Sequence, residues 1–149
     1  MGTILLAYRP TAEGNAALKH AVAQARLRDD ELLIVRHVKL DSDIIRESET
    51  REEGSHVDLD KIDVDLSSLS DAINAEGVRC RSRVIASDEK PAKDLLEIAN
   101  TQNVDLMVIG IRSRSPVGKL VLGSDAQDIL LGADCPILAV KAEPGLNRM

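Results

Sequence analysis

DLMVIGIRSRSPVGKLVLGS, running from Asp105 to Ser124, is the stretch on which the reading of the fold turns. Asp105 to Ile109 is an apolar run closed by Gly110, the pattern of a strand buried on both faces of a parallel sheet. Ser124 opens a short helix. Between the two lies a glycine-bounded loop in which Arg112, Arg114 and Lys119 are accompanied by no carboxylate, on a chain whose formal net charge is −6. A cationic, hydroxyl-bearing turn at the start of a helix suits an anion, because the first N–H groups of a helix lack partners and its dipole favours negative charge. A nucleotide is the first ligand class that this suggests.

Outward from this stretch, apolar strands alternate with helical patterns. Thr3 to Tyr8 reads as a buried strand stopped by Arg9-Pro10. Thr11 is the N-cap of a first helix reaching about Arg28, whose apolar face is Ala16, Ala17, Ala21, Val22, Ala25 and Leu27. Glu31 to Val38 is a second strand. The acidic Leu40 to His56 segment has weak periodicity and reads as a loop, after which helical spacing runs from Val57 to about Glu76 and Gly77 supplies a left-handed C-cap. Val78 to Ala86 alternates as an edge strand with Arg79, Arg81 and Arg83 facing water. Ser87 or Asp88 is expected to cap a third helix with Pro91 in its first turn, ending near Gln102-Asn103. Downstream of the cationic loop a fourth helix begins at Ser124, and Ile137 to Lys141 is strand five.

Such alternation predicts an α/β fold: a doubly wound, Rossmann-like, five-stranded parallel sheet with helices on both faces and right-handed crossovers. Ligands of such sheets sit beyond the carboxyl ends of the strands, where strand order reverses. With strand one beside strand four, that crevice would bring Arg9, Pro10 and Thr11 opposite Gly110 to Ser124.

Composition narrows the function. A chain of 149 residues is expected to form one domain. It has no Phe or Trp and a single Tyr, so no aromatic platform exists for single-stranded nucleic acid, and a pI near 5.1 opposes phosphate-backbone binding over a broad face. Cys80 and Cys135 lack metal-ligand or disulfide-framework spacing and read as buried thiols. No run reaches the ~18 apolar residues of a membrane span, and the first residues lack signal-peptide character, so the expected location is cytoplasmic.

The spacing Gly110, two residues, Ser113, nine residues, Gly123-Ser124 is similar to the nucleotide-binding signature of the universal stress protein family, with one glycine changed to serine. The stretch Asp134 to Lys141, DCPILAVK, resembles the family's last turn and strand. The resemblance implies ATP or a related adenine nucleotide, with magnesium accompanying it. Gly110, Gly123, Ser124, Asp125 and Ala126 would contact the phosphates, and Val38 would line the adenine pocket. Where the family carries an Asp at the end of strand one, this chain has Arg9, and Ser113 places a Cβ where the backbone would approach the ligand. Arg9, Arg112, Arg114 and Lys119 could replace lost backbone contacts by charge-assisted hydrogen bonds worth roughly 1.5–3 kcal/mol each. A non-nucleotide anion or an empty site remains the alternative.

Other chemistries are less well supported. Gly118-Lys119 lacks the following Ser or Thr of a P-loop, and Tyr8-Arg9-Pro10 lacks the acidic residues of a receiver domain. His20, His37 and His56 sit in no nucleophile motif, although His37 is on a strand running toward the ligand edge. Asp41 and Asp43 read as loop solvation, so no catalytic or metal-binding residue is assigned. In the strand order 3-2-1-4-5 that goes with the resemblance, strand five lies at an exposed edge, and the resemblance together with that bare edge, Ile137, Leu138, Ala139 and Val140, suggests a homodimer paired antiparallel about a two-fold axis. The resulting expectation is a dimeric, nucleotide-responsive module with an unidentified protein partner. The alternatives are a dimeric scaffold without nucleotide and a weak ATP hydrolase or autokinase.

Overall fold

The apolar runs all enter one sheet. In a computed structural model that describes residues 1–40, 58–112 and 122–143, the elements run β1 (Thr3–Ala7), α1 (Ala12–Arg28), β2 (Glu31–Lys39), α2 (Leu59–Ala75), β3 (Cys80–Ser87), α3 (Pro91–Thr101), β4 (Leu106–Ile111), α4 (Ser124–Gly132) and β5 (Ile137–Lys141). The sheet order is β3-β2-β1-β4-β5 and every pairing is parallel, the doubly wound α/β arrangement that the alternation predicts. The acidic segment read as a loop lies outside the described residues from position 41 to 57. So does the part of the cationic loop that carries Ser113, Arg114 and Lys119.

Because side chains alternate across a strand, each strand feeds two cores. Ile4, Leu6, Leu32, Ile34 and Val108 pack under α1 and α2, while Leu5, Leu33, Val35, Met107 and Ile109 pack under α3 and α4. With no large aromatic to fill space, α1 approaches the sheet on Ala16, Ala17, Ala21 and Ala25. Leu27, expected on that face, is instead exposed, because the stripe of four-residue steps from Ala17 passes it by. Cys80 is buried but Cys135 only partly so. No helix among the described residues is long and apolar enough to cross a membrane.

Local chemistry sets the ends of the elements. Thr11 Oγ1 accepts the Gly14 N–H at 3.0 Å, the expected N-cap. After α2, the Gly77 N–H bonds the Asn74 carbonyl and the Val78 N–H the Ile73 carbonyl, with Gly77 at φ +96°, which is a Schellman closure. Val78 is consumed by that closure, so β3 starts two residues later than its alternation suggests. The cap of α3 is not Ser87 or Asp88. Ser87 is still paired with Lys39 in the β2–β3 ladder, and the helix starts at Pro91 after Lys90, which makes no side-chain cap bond.

β4 extends through Gly110 to Ile111, so this glycine belongs to the strand rather than to the loop. It faces the first turn of α1. A Cβ on Gly110 would lie 2.5 Å from the Glu13 carbonyl oxygen, and one on Gly14 would overlap the Arg9 carbonyl oxygen. Both neighbours are backbone and cannot swing aside. Gly14→Ala is therefore expected to destabilise the protein by ~1–3 kcal/mol through overpacking, despite the better helix propensity of alanine. Chemical denaturation measures this, and unchanged or raised stability would show that the contact is not tight.

Candidate functional site

A cavity of about 510 Å³ opens beyond the carboxyl ends of β1 and β4, where the strand order reverses. Its floor is the end of β1 (Ala7, Tyr8, Arg9) and of β4 (Ile109 to Arg112). One wall is the start of α1 with the first turns of α4, and the other is Val35 and His37 of β2 with Pro91 and Leu95 of α3. Of the residues that the sequence singled out, Arg9, Thr11, Gly110, Arg112, Gly123, Ser124, Asp125 and Ala126 are brought together around this space. Pro10 is exposed and does not line it. Ser113 and Arg114 lie outside the described residues. Val38 does not line it either: alternation along β2 turns Val35 and His37 toward the α3 side and Val38 toward the opposite face.

Gly110 and Gly123, which read alike in sequence, differ in what surrounds them. Gly110 is required by α1, as above. Gly123 has φ −66° and ψ 159°, an ordinary extended conformation, and a Cβ there would meet no atom of the described residues within 4 Å. It occupies the N-cap of α4, where it offers no side chain to the N–H groups of Ser124, Asp125 and Ala126. The first turn of α4 therefore presents backbone donors with no side-chain cap at the cavity wall. Charge on that wall is mixed among the described residues, with Arg9 and Arg112 set against Glu13 and Asp125. A third cation stands nearby. Burial lowers the pKa of Arg36 from its ordinary value, the charge of Arg9 adds to that, and Tyr8 opposes it.

The β2 side of the cavity holds a polar cluster that no motif announced. β1 and β2 pair only as far as Ala7 and Val35, with the Tyr8 N–H on the Val35 carbonyl at 2.9 Å, whereas β2 continues beside β3 to Lys39. On this overhang His37 Nε2 lies 2.9 Å from Asp94 Oδ2, and Ser87 Oγ donates to the same oxygen at 2.5 Å. The His37 side chain is 4% exposed, and its Nδ1 has no hydrogen-bond partner among the described residues. A buried polar atom left unpaired costs about 1–3 kcal/mol. Although serine, histidine and aspartate meet here, Ser87 spends its proton on Asp94 and sits 3.4 Å from the ring nitrogen that Asp94 also holds, so the histidine cannot activate it as a nucleophile. Among the described residues no three His, Cys, Asp or Glu side chains are grouped to hold a metal.

The Ser87 hydroxyl holds the Asp94 carboxyl below its ordinary value, burial opposes this, and the His37 hydrogen bond adds to the lowering. A carboxyl that titrates lower when folded contributes stability that is complete above the ordinary aspartate range and lost as pH falls through the folded value. Asp94→Asn should accordingly be less stable than wild type at about pH 7, with the gap narrowing by about pH 3. Denaturation midpoints at the two pH values give the answer, and a gap that is constant with pH would assign the loss to packing alone.

Comparison with known proteins agrees with this architecture. The model of the universal stress protein family matches residues 1–141. A universal stress protein of Mycolicibacterium smegmatis is 33% identical over 142 residues, spanning 93% of this chain and 96% of that one. Among solved structures, a universal stress protein from Archaeoglobus fulgidus is similar with a TM-score of 0.69 at 28% identity, covering 95% of this chain and 98% of that one. The structure of the universal stress protein from the same organism in complex with dAMP gives a TM-score of 0.58 at 24% identity, with the same coverage of each chain. The match over nearly the whole length, carried on a 3-2-1-4-5 parallel sheet, means that this chain belongs to the universal stress protein family.

Proposed function

We propose that the cavity binds an adenine nucleotide, ATP or a close relative, and that the chain works as a nucleotide-responsive binding module rather than by turnover. The phosphates would lie on the first turn of α4, at Gly123, Ser124, Asp125 and Ala126, with Arg9 and Arg112 supplying charge-assisted hydrogen bonds. The base would lie on the apolar wall made by Val35 and Leu95. One observation carries this reading: among the described residues nothing packs where a side chain of Gly123 would stand. A glycine N-cap leaves the first helix donors without a side-chain partner and the space in front of them open, which suits a ligand's anionic group. That a universal stress protein of the same fold was solved with dAMP fits the same reading. Magnesium would enter with the phosphates.

The test is calorimetric titration with AMP, ADP and ATP, with and without magnesium. Gly123→Val should cost no more than about 1 kcal/mol of stability, the loss of a favoured N-cap residue, while weakening nucleotide binding by about tenfold or more, since its side chain would fill the space in front of the helix donors. If no nucleotide gives heat at millimolar concentration the proposal fails, and the reading of a nucleotide-free scaffold takes its place. Unchanged affinity in the variant would put the phosphates elsewhere.

The module would act as a homodimer through β5, whose outer edge, Ile137 to Val140, has no strand beside it among the described residues. Pro136 gives its carbonyl to Met107 of β4, so by alternation the N–H of Ala139 points outward. Ala139→Pro should then convert a dimer into a folded monomer in sedimentation equilibrium. A variant that remains dimeric would exclude pairing along this edge. A partner protein, as yet unidentified, would read the surface that ligand binding alters.

A further inference from the structure

We propose that His37 selects the base, its Nδ1 accepting a hydrogen bond from the exocyclic amine of an adenine seated against the β2 and α3 wall. This rests on the nucleotide reading above and deepens it. Three observations converge on that nitrogen. Among the described residues it has no partner, and it belongs to a side chain that is 96% buried and forms part of the cavity wall. Its protonation is dictated from the far side of the ring: Asp94 takes the Ser87 proton on Oδ2 and, as an ionised carboxylate, can only accept from Nε2. In the neutral ring the proton is therefore on Nε2, and Nδ1 carries a lone pair. The wall beside it, Val35, Leu95 and Pro91, offers it no donor.

An acceptor in apolar surroundings favours a ligand that brings a donor and rejects one that does not, because the second leaves it buried and unpaired. The position matches. His37 sits two strands away from β4 and α4, the phosphate end of the cavity, on the strand overhang that β1 leaves unpaired. The torsion that turns an imidazole about its Cβ–Cγ bond is broad, so Nδ1, shielded from water, can turn a few degrees toward the base while Nε2 keeps its bond to Asp94. Ser87 and Asp94 are positioning residues in this scheme, holding tautomer and orientation.

The experiment compares AMP with purine riboside 5′-monophosphate, which lacks only the amine. Wild-type protein should bind AMP about tenfold more tightly. His37→Phe keeps a ring in the wall without its nitrogens and should lose that preference by weakening AMP while leaving the purine nucleotide within about twofold. Should the variant fold poorly, nitrogen-15 histidine labelling of wild-type protein serves the same end: the Nδ1 resonance of His37 should move with AMP and not with its analogue. Equal wild-type affinities, equal loss of both ligands in the variant, or an Nδ1 resonance that ignores AMP would overturn the assignment while the nucleotide reading stands. If neither ligand binds wild-type protein the assignment falls, and the nucleotide reading falls with it only when ADP and ATP also give no heat.

Discussion

Two backbones meet where the sheet changes direction, and the geometry of that meeting governs the rest of the molecule. The first turn of α1 lies against the end of β4 with Gly14 and Gly110 side by side, so close that a single methyl on either would meet a carbonyl oxygen. This approach brings the helix across the front of β4 and leaves the crevice open on the other side, toward α3 and α4. Parallel sheets place their strand ends on one edge, and a reversal of strand order separates the crossover helices there. Here the separation becomes a cavity of about 510 Å³. Arg9, Thr11 and the start of α4 can line the crevice without filling it.

The cavity has two unlike ends. At α4, backbone donors and the side chains of Arg9 and Arg112 make a surface for negative charge, tempered by Asp125 and Glu13. At β2, the wall is apolar apart from one histidine that is fastened by a carboxylate and a hydroxyl behind it. An amphipathic ligand with an anionic head and a flat, weakly polar body is complementary to that division. Physical asymmetry of this kind orients a ligand before any specific hydrogen bond is formed.

Much of this was legible from residue order. The continuous apolar runs marked the buried strands, the alternation with helices implied parallel pairing, and the glycine spacing located the crevice. Sequence was a poorer guide where two residues of the same type had different tasks. Gly110 and Gly123 bracket one motif, but the first is small because a helix packs on it and the second meets nothing. Val38 and His37 are adjacent in β2, and only their place in the pleat decides which of them can see the cavity. Ser87 resembled a helix cap until β3 was seen to extend through it.

By itself the sequence determined the elements, their order and the parallel topology, because these follow from local hydrophobic periods and from a chirality rule that leaves few alternatives. The strand order came from the family resemblance, since periods and handedness alone allow more than one. Tertiary structure alone decided which side chains share the cavity and which polar atoms are left without partners. His37, Ser87 and Asp94 are scattered over β2, β3 and α3 with no periodicity connecting them. Ser87 and Asp94 meet across the short turn from β3 to α3, but His37 reaches them from 50 and 57 residues away through the parallel pairing of β2 with β3, and such a long-range meeting leaves no mark in any short window of residues.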